Sequence, residues 1–227
     1  MATVLLLRHG RTTANADGTL AGRRAVHLDE VGRAQAAAVG ARLRAAPPAA
    51  VVSSPLRRCR QTLRLALPRA GVTVDDRLTE CGYGEWEGQP LRRLAEDPLW
   101  SRVQQHPSAV TFPAGEAMAA MAARAVAAVR EWDDRITAQH GPHAVWLACS
   151  HGDVIKAIVA DALGLHLDQF QRIGVDPGSL TAVRYTDLRP FVLRLNDVGG
   201  DLAGLTRTGH AAGTATSDAA VGGGAGR

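Results

Sequence analysis

Arg8, His9, Gly10, Arg11, Thr12, Thr13, Ala14 and Asn15 directly follow the short apolar run Val4 to Leu7. Such a run reads as a buried strand. Strand ends in α/β sheets are where side chains and free backbone N–H groups converge on ligands. A permanently charged guanidinium beside an imidazole suits a phosphoryl group above other ligands. Arg offers its oxygens a bidentate fork, and His is a nucleophile able to take the phosphorus covalently. An Arg-His-Gly triplet alone is weak, because of the 26 basic residues all but Lys156 are arginine.

Three further segments strengthen it: Ser53-Ser54-Pro55-Leu56-Arg57-Arg58-Cys59-Arg60-Gln61-Thr62, Leu78-Thr79-Glu80-Cys81-Gly82-Tyr83-Gly84-Glu85-Trp86-Glu87-Gly88, and Cys149-Ser150-His151-Gly152. In that order the four blocks resemble the signature set of the histidine phosphatase superfamily, the phosphoglycerate-mutase-like proteins, from about Thr3 to Asp197. The resemblance implies a three-layer α/β/α fold with a mostly parallel central sheet. It implies phosphoryl transfer to and from His9. Arg58 matches the Arg of Ser-x-Leu-x-Arg, so Arg8 and Arg58 are expected to grip the phosphoryl oxygens, with Arg57 and Arg60 solvated. His151 is implied as the second histidine, donating to the phosphoryl group, and Glu80 as the acid that protonates the leaving group. The substrate-binding set is Arg8, Gly10, Thr12, Asn15, Arg58 and His151. Arg11 stands where the family often has Glu or Gln, which leaves substrate contact and plain exposure both open.

Those roles set physical requirements. His9 must be neutral to attack, and neighbouring arginines favour this by penalising a second positive charge. Its other ring nitrogen must carry the proton, held by a hydrogen bond to backbone near Gly10, where the missing side chain allows close approach. Glu80 needs partial burial to raise its pKa if it is to deliver a proton. Glu85 and Glu87 are weaker candidates, Glu87 reading as a brace for the Trp86 turn. No metal and no cofactor is called for, because arginines replace the cation that other phosphatases use. His140 and His143 flank a presumed loop without Cys or carboxylate companions and read as exposed.

The fate of phospho-His9 separates a phosphatase from a mutase. The stretch from Gly88 to Phe112 is short and its only paired cations are Arg92 and Arg93. Together with Phe112-Pro113-Ala114-Gly115-Glu116, this looks more like the phosphatase branch than a glycolytic mutase. A non-catalytic phospho-ligand-binding relative is the third reading. It is disfavoured because His9, Arg8, Arg58, Glu80 and His151 are all present.

The elements that must position these residues follow from the apolar pattern. Val4 to Leu7 is a strand. Asp29 reads as the N-cap of a helix from Glu30 to Arg44, with Val31, Ala34, Ala38, Ala41 and Leu43 on its inner face and Pro47-Pro48 beyond its end. Ala50 to Val52 is a second strand, Leu56 to Leu67 a helix stopped by Pro68, and Val72 to Val74 and the Leu78 region short strand pieces. Pro90 to Pro113 reads as short helices or a lid-like excursion. Met118, Met121, Ala122, Ala125, Val129, Trp132 and Ile136 mark a long amphipathic helix between Gly115 and His140. Ala144 to Cys149 is a strand, followed by a helix to Leu163 capped by Asp153 and closed by Gly164. Leu180 to Tyr185 and Phe191 to Leu195 resemble a closing hairpin. Alternating strands and helices make an α/β domain, residues 1–199, with a largely parallel sheet. Residues 200–227, rich in Gly, Ala, Thr and Ser, are expected to form a disordered tail.

The chain of 227 residues is long enough for one such domain, and its net charge is +4. The basic residues are scattered without interleaved aromatics, which speaks against nucleic acid and suits a small phosphorylated substrate. Cys59, Cys81 and Cys149 form neither a disulfide framework nor a zinc pattern, and Cys149 reads as a buried small hydrophobe. No leader or membrane-spanning run is evident, so the expected location is the cytoplasm and no membrane partner is expected. Relatives are often dimers, and nothing in the sequence contradicts a homodimer.

Overall fold

The computed structural model describes residues 1–200 and 221–224. Six strands form one sheet: β1 (Thr3–Arg8), β2 (Val51–Ser53), β3 (Val72–Val74), β4 (Val145–Ser150), β5 (Leu180–Arg184) and β6 (Phe191–Asp197), in the order β3-β2-β4-β1-β5-β6. The first four strands of that order run parallel, and the hairpin β5–β6 lies antiparallel beside β1. The sheet is therefore mixed, with a parallel part that carries the site.

Side chains alternate between its two faces, as strand geometry requires. On one face Leu7, Leu147 and Cys149 pack against α2 (Glu30–Leu43) and α3 (Arg57–Ala66) through Val39, Leu43, Cys59 and Leu63. On the other, Val4, Leu6, Trp146 and Ala148 meet α6 (Met118–His140) and α7 (Gly152–Ala162) through Met121, Val129, Ile136, Ile155 and Ile158. Each fully buried side chain of this kind stabilises the fold by roughly 1.5–3 kcal/mol. The three layers expected from the resemblance are formed. α7 is buried along nearly its whole length, which is why its sequence is apolar on all sides rather than on a stripe.

The inner face of α2 differs from the one its alanines suggest. Val31, Ala34, Ala38 and Ala41 point to solvent, whereas Gly32, Ala36, Val39, Gly40 and Leu43 are buried. Glycine is placed there because the helix is pressed against backbone: a Cβ on Gly32 would run into the Arg11 carbonyl, and one on Gly40 into that of Ala66. Asp29 caps the helix as expected, accepting from the Gly32 N–H at 2.7 Å. Leu78 ends a 3-10 turn, Asp76–Leu78, not a strand. The Pro90 to Pro113 excursion consists of α4 (Leu91–Leu94), α5 (Trp100–Gln105) and a 3-10 turn at Pro107–Ala109.

Residues 201–220 and 225–227 of the expected disordered tail lie outside the described residues. Val221–Gly223 forms one turn, and Val221 is 2% exposed within the apolar cluster on the α6/α7 side. Composition did not anticipate an ordered return at this point. Among the described residues no helix is long and apolar enough to cross a membrane.

Candidate active site

The parallel strands deliver three of the four motifs to one edge. Arg8 pairs with Ser150 in register, so His9 and His151 leave adjacent strands side by side; Ser53 pairs with Cys149 on the next strand, placing Ser54 beside them. The two imidazole centroids are 5.3 Å apart. Ser54 leads into α3, whose first turn turns Arg58 inward while Arg57 and Arg60 stay exposed.

His9 is held in one tautomer. Its Nδ1–H donates to the Gly10 carbonyl at 2.8 Å, a partner that cannot donate back, so Nε2 carries the lone pair. That lone pair accepts from Arg58 Nε at 3.1 Å. Burial and then the charges of Arg58 and Arg8 push the His9 pKa well below the ordinary value, leaving the ring neutral.

Arg58 Nε also donates to His151 Nδ1 at 3.2 Å, while its Nη1 and Nη2 reach the carbonyls of Arg24 and Gly22. With Nδ1 accepting, the His151 proton sits on Nε2, 2.7 Å from Ser54 Oγ. The resemblance implies a donor towards substrate at His151, whereas its Nδ1 is an acceptor here. Donation requires the other tautomer, which Ser54 can support because a hydroxyl both donates and accepts. Burial, then Arg58, lowers the His151 pKa well below the ordinary value.

Arg8 is fully buried; its Nη1 donates to the Val175 carbonyl at 2.7 Å and its Nη2 to the carbonyls of Gly222 at 3.1 Å and Gly224 at 2.7 Å. Burial brings its pKa down to about 10, which keeps the cation at neutral pH. Glu80, 3% exposed, lines the same pocket as His9, Asn15 and Arg58. Desolvation, then the charge of Asp153, raises its pKa to about 7, against the pull of Arg58 and Arg8.

A model of the histidine phosphatase superfamily (branch 1) matches residues 4–198. The chain belongs to this superfamily. A bifunctional protein of Mycobacterium tuberculosis is 35% identical over 201 residues, covering 86% of this chain. The chain spans about half the length of that relative, 54%. Glucosyl-3-phosphoglycerate phosphatase of M. tuberculosis is 31% identical over 181 residues, 75% of this chain and 79% of that one. The solved structure of mycobacterial glucosyl-3-phosphoglycerate phosphatase with VO3 superimposes with a TM-score of 0.76 at 28% identity, covering 86% of this chain and 98% of that one.

Around the His9 pocket several residues expected to contact substrate also hold one another in place. The Thr12 hydroxyl donates to Asn15 Oδ1 at 2.8 Å and accepts the Asn15 N–H at 3.2 Å, a reciprocal cap on the one-turn helix α1 (Thr13–Ala16). Thr12 thereby aims Asn15, whose Nδ2 donates into the pocket, to the Gly224 carbonyl at 3.1 Å. The Gly10 N–H donates to Thr62 Oγ1 at 3.0 Å, and a Cβ on Gly10 would strike the Gly32 carbonyl. Gly10 thus holds the His9 ring and lets α2 close in. Arg11 faces away from the pocket, pairing with Asp29 at 2.7 Å.

Asp153 is not the N-cap of α7; that position is His151, and Asp153 follows it in the first turn. Its Oδ2 accepts from the Tyr83 hydroxyl at 2.7 Å and from the Gly222 N–H at 3.1 Å, and Lys156, the only lysine in the sequence, lies 3.9 Å from Oδ1. Glu87 braces its turn as expected, accepting from the N–H groups of Tyr83 and Arg23.

Arg124 was not among the sequence candidates. From α6 its guanidinium gathers the carbonyls of Arg77, Thr79 and Glu80 and pairs with Glu116 at 2.7 Å, fixing the backbone that carries Glu80. An arginine on an amphipathic helix carries no sequence signal that separates this from a solvated charge. Cys149 and Cys59 are both buried, and burial pushes the Cys149 thiol well up, consistent with a packing role. Among the described residues no group of three or more His, Cys, Asp or Glu is arranged to hold a metal ion.

Proposed function

We propose that this chain is a metal-independent phosphomonoester hydrolase working through a phosphohistidine on His9, with a small phosphorylated metabolite as substrate. His9 Nε2 attacks phosphorus in line with the ester oxygen, and the bond to that oxygen breaks as the N–P bond forms. Arg8, Arg58 and Asn15 hold the non-bridging oxygens, and His151 donates once its proton moves to Nδ1. Clamping of this kind is commonly the largest catalytic contribution, with one donor worth roughly 3–4 kcal/mol. Protonated Glu80 supplies the proton to the departing alkoxide. Its carboxylate then takes a proton from the water that attacks phospho-His9, which returns both residues to their starting states.

The observation that carries this reading is the His9 ring, neutral and tied through Nδ1–H to Gly10, with Nε2 turned into a pocket that also holds Arg58 and Glu80. The phosphatase names of several relatives support hydrolysis over mutase turnover. The test is release of p-nitrophenolate from p-nitrophenyl phosphate with EDTA present. Wild-type turnover and none in His9→Ala is the expected result; equal rates would overturn the assignment. Isomerisation of 3-phosphoglycerate primed with 2,3-bisphosphoglycerate, faster than hydrolysis, would favour a mutase instead.

A further inference from the structure

The groups assigned to phosphoryl oxygens already have oxygen partners from this chain. Arg8 Nη2 donates to the carbonyls of Gly222 and Gly224, and Asn15 Nδ2 donates to that of Gly224. Gly222, Gly224 and Val221 line the pocket of His9 and Glu80, and the space left there is about 30 Å³. That is room for about two waters, with the segment's own backbone forming part of the pocket wall. The segment is seated at further points. Val221 is buried, and the Gly222 N–H donates to buried Asp153.

We propose that Val221–Gly224 is a tethered competitor of substrate, an internal ligand whose backbone carbonyls occupy the phosphoryl-oxygen positions until a phosphomonoester displaces them. This rests on the assignment of Arg8 and Asn15 as phosphoryl ligands. The sequence of the segment suits the task. Gly222 (φ +72°) and Gly224 (φ +59°) adopt left-handed backbone that other residues reach only with strain. A Cβ on Gly222 would lie 3.0 Å from the Leu20 side chain. The glycines therefore supply the left-handed backbone on which the carbonyls of Gly222 and Gly224 meet the Arg8 guanidinium. Val221 is the last large apolar side chain of the sequence and serves as the anchor. Because the segment belongs to the same chain as the site, its docking is intramolecular and weak contacts suffice. Two neutral carbonyls yield to a phosphoryl dianion, which forms charge-assisted bonds with the same donor. Ligands without that charge are screened out.

The test uses the full-length chain with Val221→Asp, which removes the anchor without touching a residue of the catalytic machinery. If the segment is docked in about nine molecules of ten, its release lowers KM for p-nitrophenyl phosphate about tenfold with kcat unchanged. Affinity for inorganic phosphate, measured by calorimetry, rises by the same factor. Gly222→Val, which cannot hold the left-handed turn, must shift both quantities the same way. A synthetic peptide of residues 219–227 must compete with phosphate on Val221→Asp more visibly than on wild type. Unchanged or raised KM, or unchanged phosphate affinity, in both folded variants overturns the proposal. Loss of kcat would instead make the segment part of the working site and overturn it equally. Phosphate binding that tightens in a protein without turnover would leave the competitor standing and sink the hydrolase reading alone.

Discussion

On the proposed mechanism, replacing Glu80 by Gln removes the proton that an alkoxide leaving group needs while keeping shape and burial. With its pKa at about 7, roughly half of the Glu80 side chains carry a proton at neutral pH. An ordinary glutamate near 4.5 would be protonated in only about one molecule in three hundred, so burial and Asp153 raise the supply of acid by roughly 150-fold. General acid catalysis contributes about 10²–10⁴ in rate, and Glu80→Gln should lose that much on a simple alkyl phosphate. p-Nitrophenolate departs without a proton, so phosphorylation of His9 by p-nitrophenyl phosphate should be far less impaired. The second step still lacks its base. Stopped-flow absorbance of Glu80→Gln should therefore show a burst of about one p-nitrophenolate per active site, then slow turnover. In wild type, kcat/KM on the alkyl phosphate should fall as pH passes about 7, and this limb should vanish in the variant. Retention of wild-type alkyl phosphate turnover by Glu80→Gln, or an alkaline limb unmoved by the change, would refute the reasoning.

Arg58→Lys keeps a charge but loses the fork that reaches His9, His151 and Gly22 at once, and kcat should drop by about 10²–10³, read from initial rates. Gly32→Ala, remote from the chemistry, should push the Arg11 backbone and the His9 loop outward; denaturant titration should register a loss of roughly 1–3 kcal/mol, with reduced kcat. Stability should depend on pH through these buried groups in opposite senses. His9 and His151 titrate lower folded than unfolded, so the unfolded chain takes up more protons below about pH 6.5 and stability drains as pH falls, by about 1.4 kcal/mol per pH unit for each ring. Glu80 titrates higher folded than unfolded, so its contribution is intact below about pH 4.5 and is lost as pH climbs through about 7. Urea unfolding of Glu80→Gln at pH 8.5 should exceed wild type by up to about 3 kcal/mol, and a difference of zero would contradict the raised pKa.

The parts legible in sequence were those where one segment carries both its element and its chemistry. Val4 to Leu7 announces a strand and ends in Arg8 and His9, and the motif ending at His151 follows the same plan. Parallel pairing of their strands then brings them together. α6 was readable because Met118, Met121, Val129 and Ile136 contrast with charged neighbours. α2 was not, because alanine covers its exposed face and glycine part of its buried one, so hydrophobic contrast is missing. Asp153 was misread for another reason: local rules favour a cap at a helix start, while a tertiary partner, Tyr83, claims the carboxylate. The ordered turn at Val221 escaped because a single valine is invisible in a Gly-rich composition and the remaining contacts, to Arg8, Asn15 and Asp153, are polar and long-range.

The most direct measurement is the site of phosphorylation during turnover. Glu80→Gln mixed with p-nitrophenyl phosphate, quenched in alkali, digested and read by mass spectrometry should carry one acid-labile phosphate on His9. No phosphate on the protein, or a label on His151 or elsewhere with His9 unmodified, would contradict the mechanism at its first step.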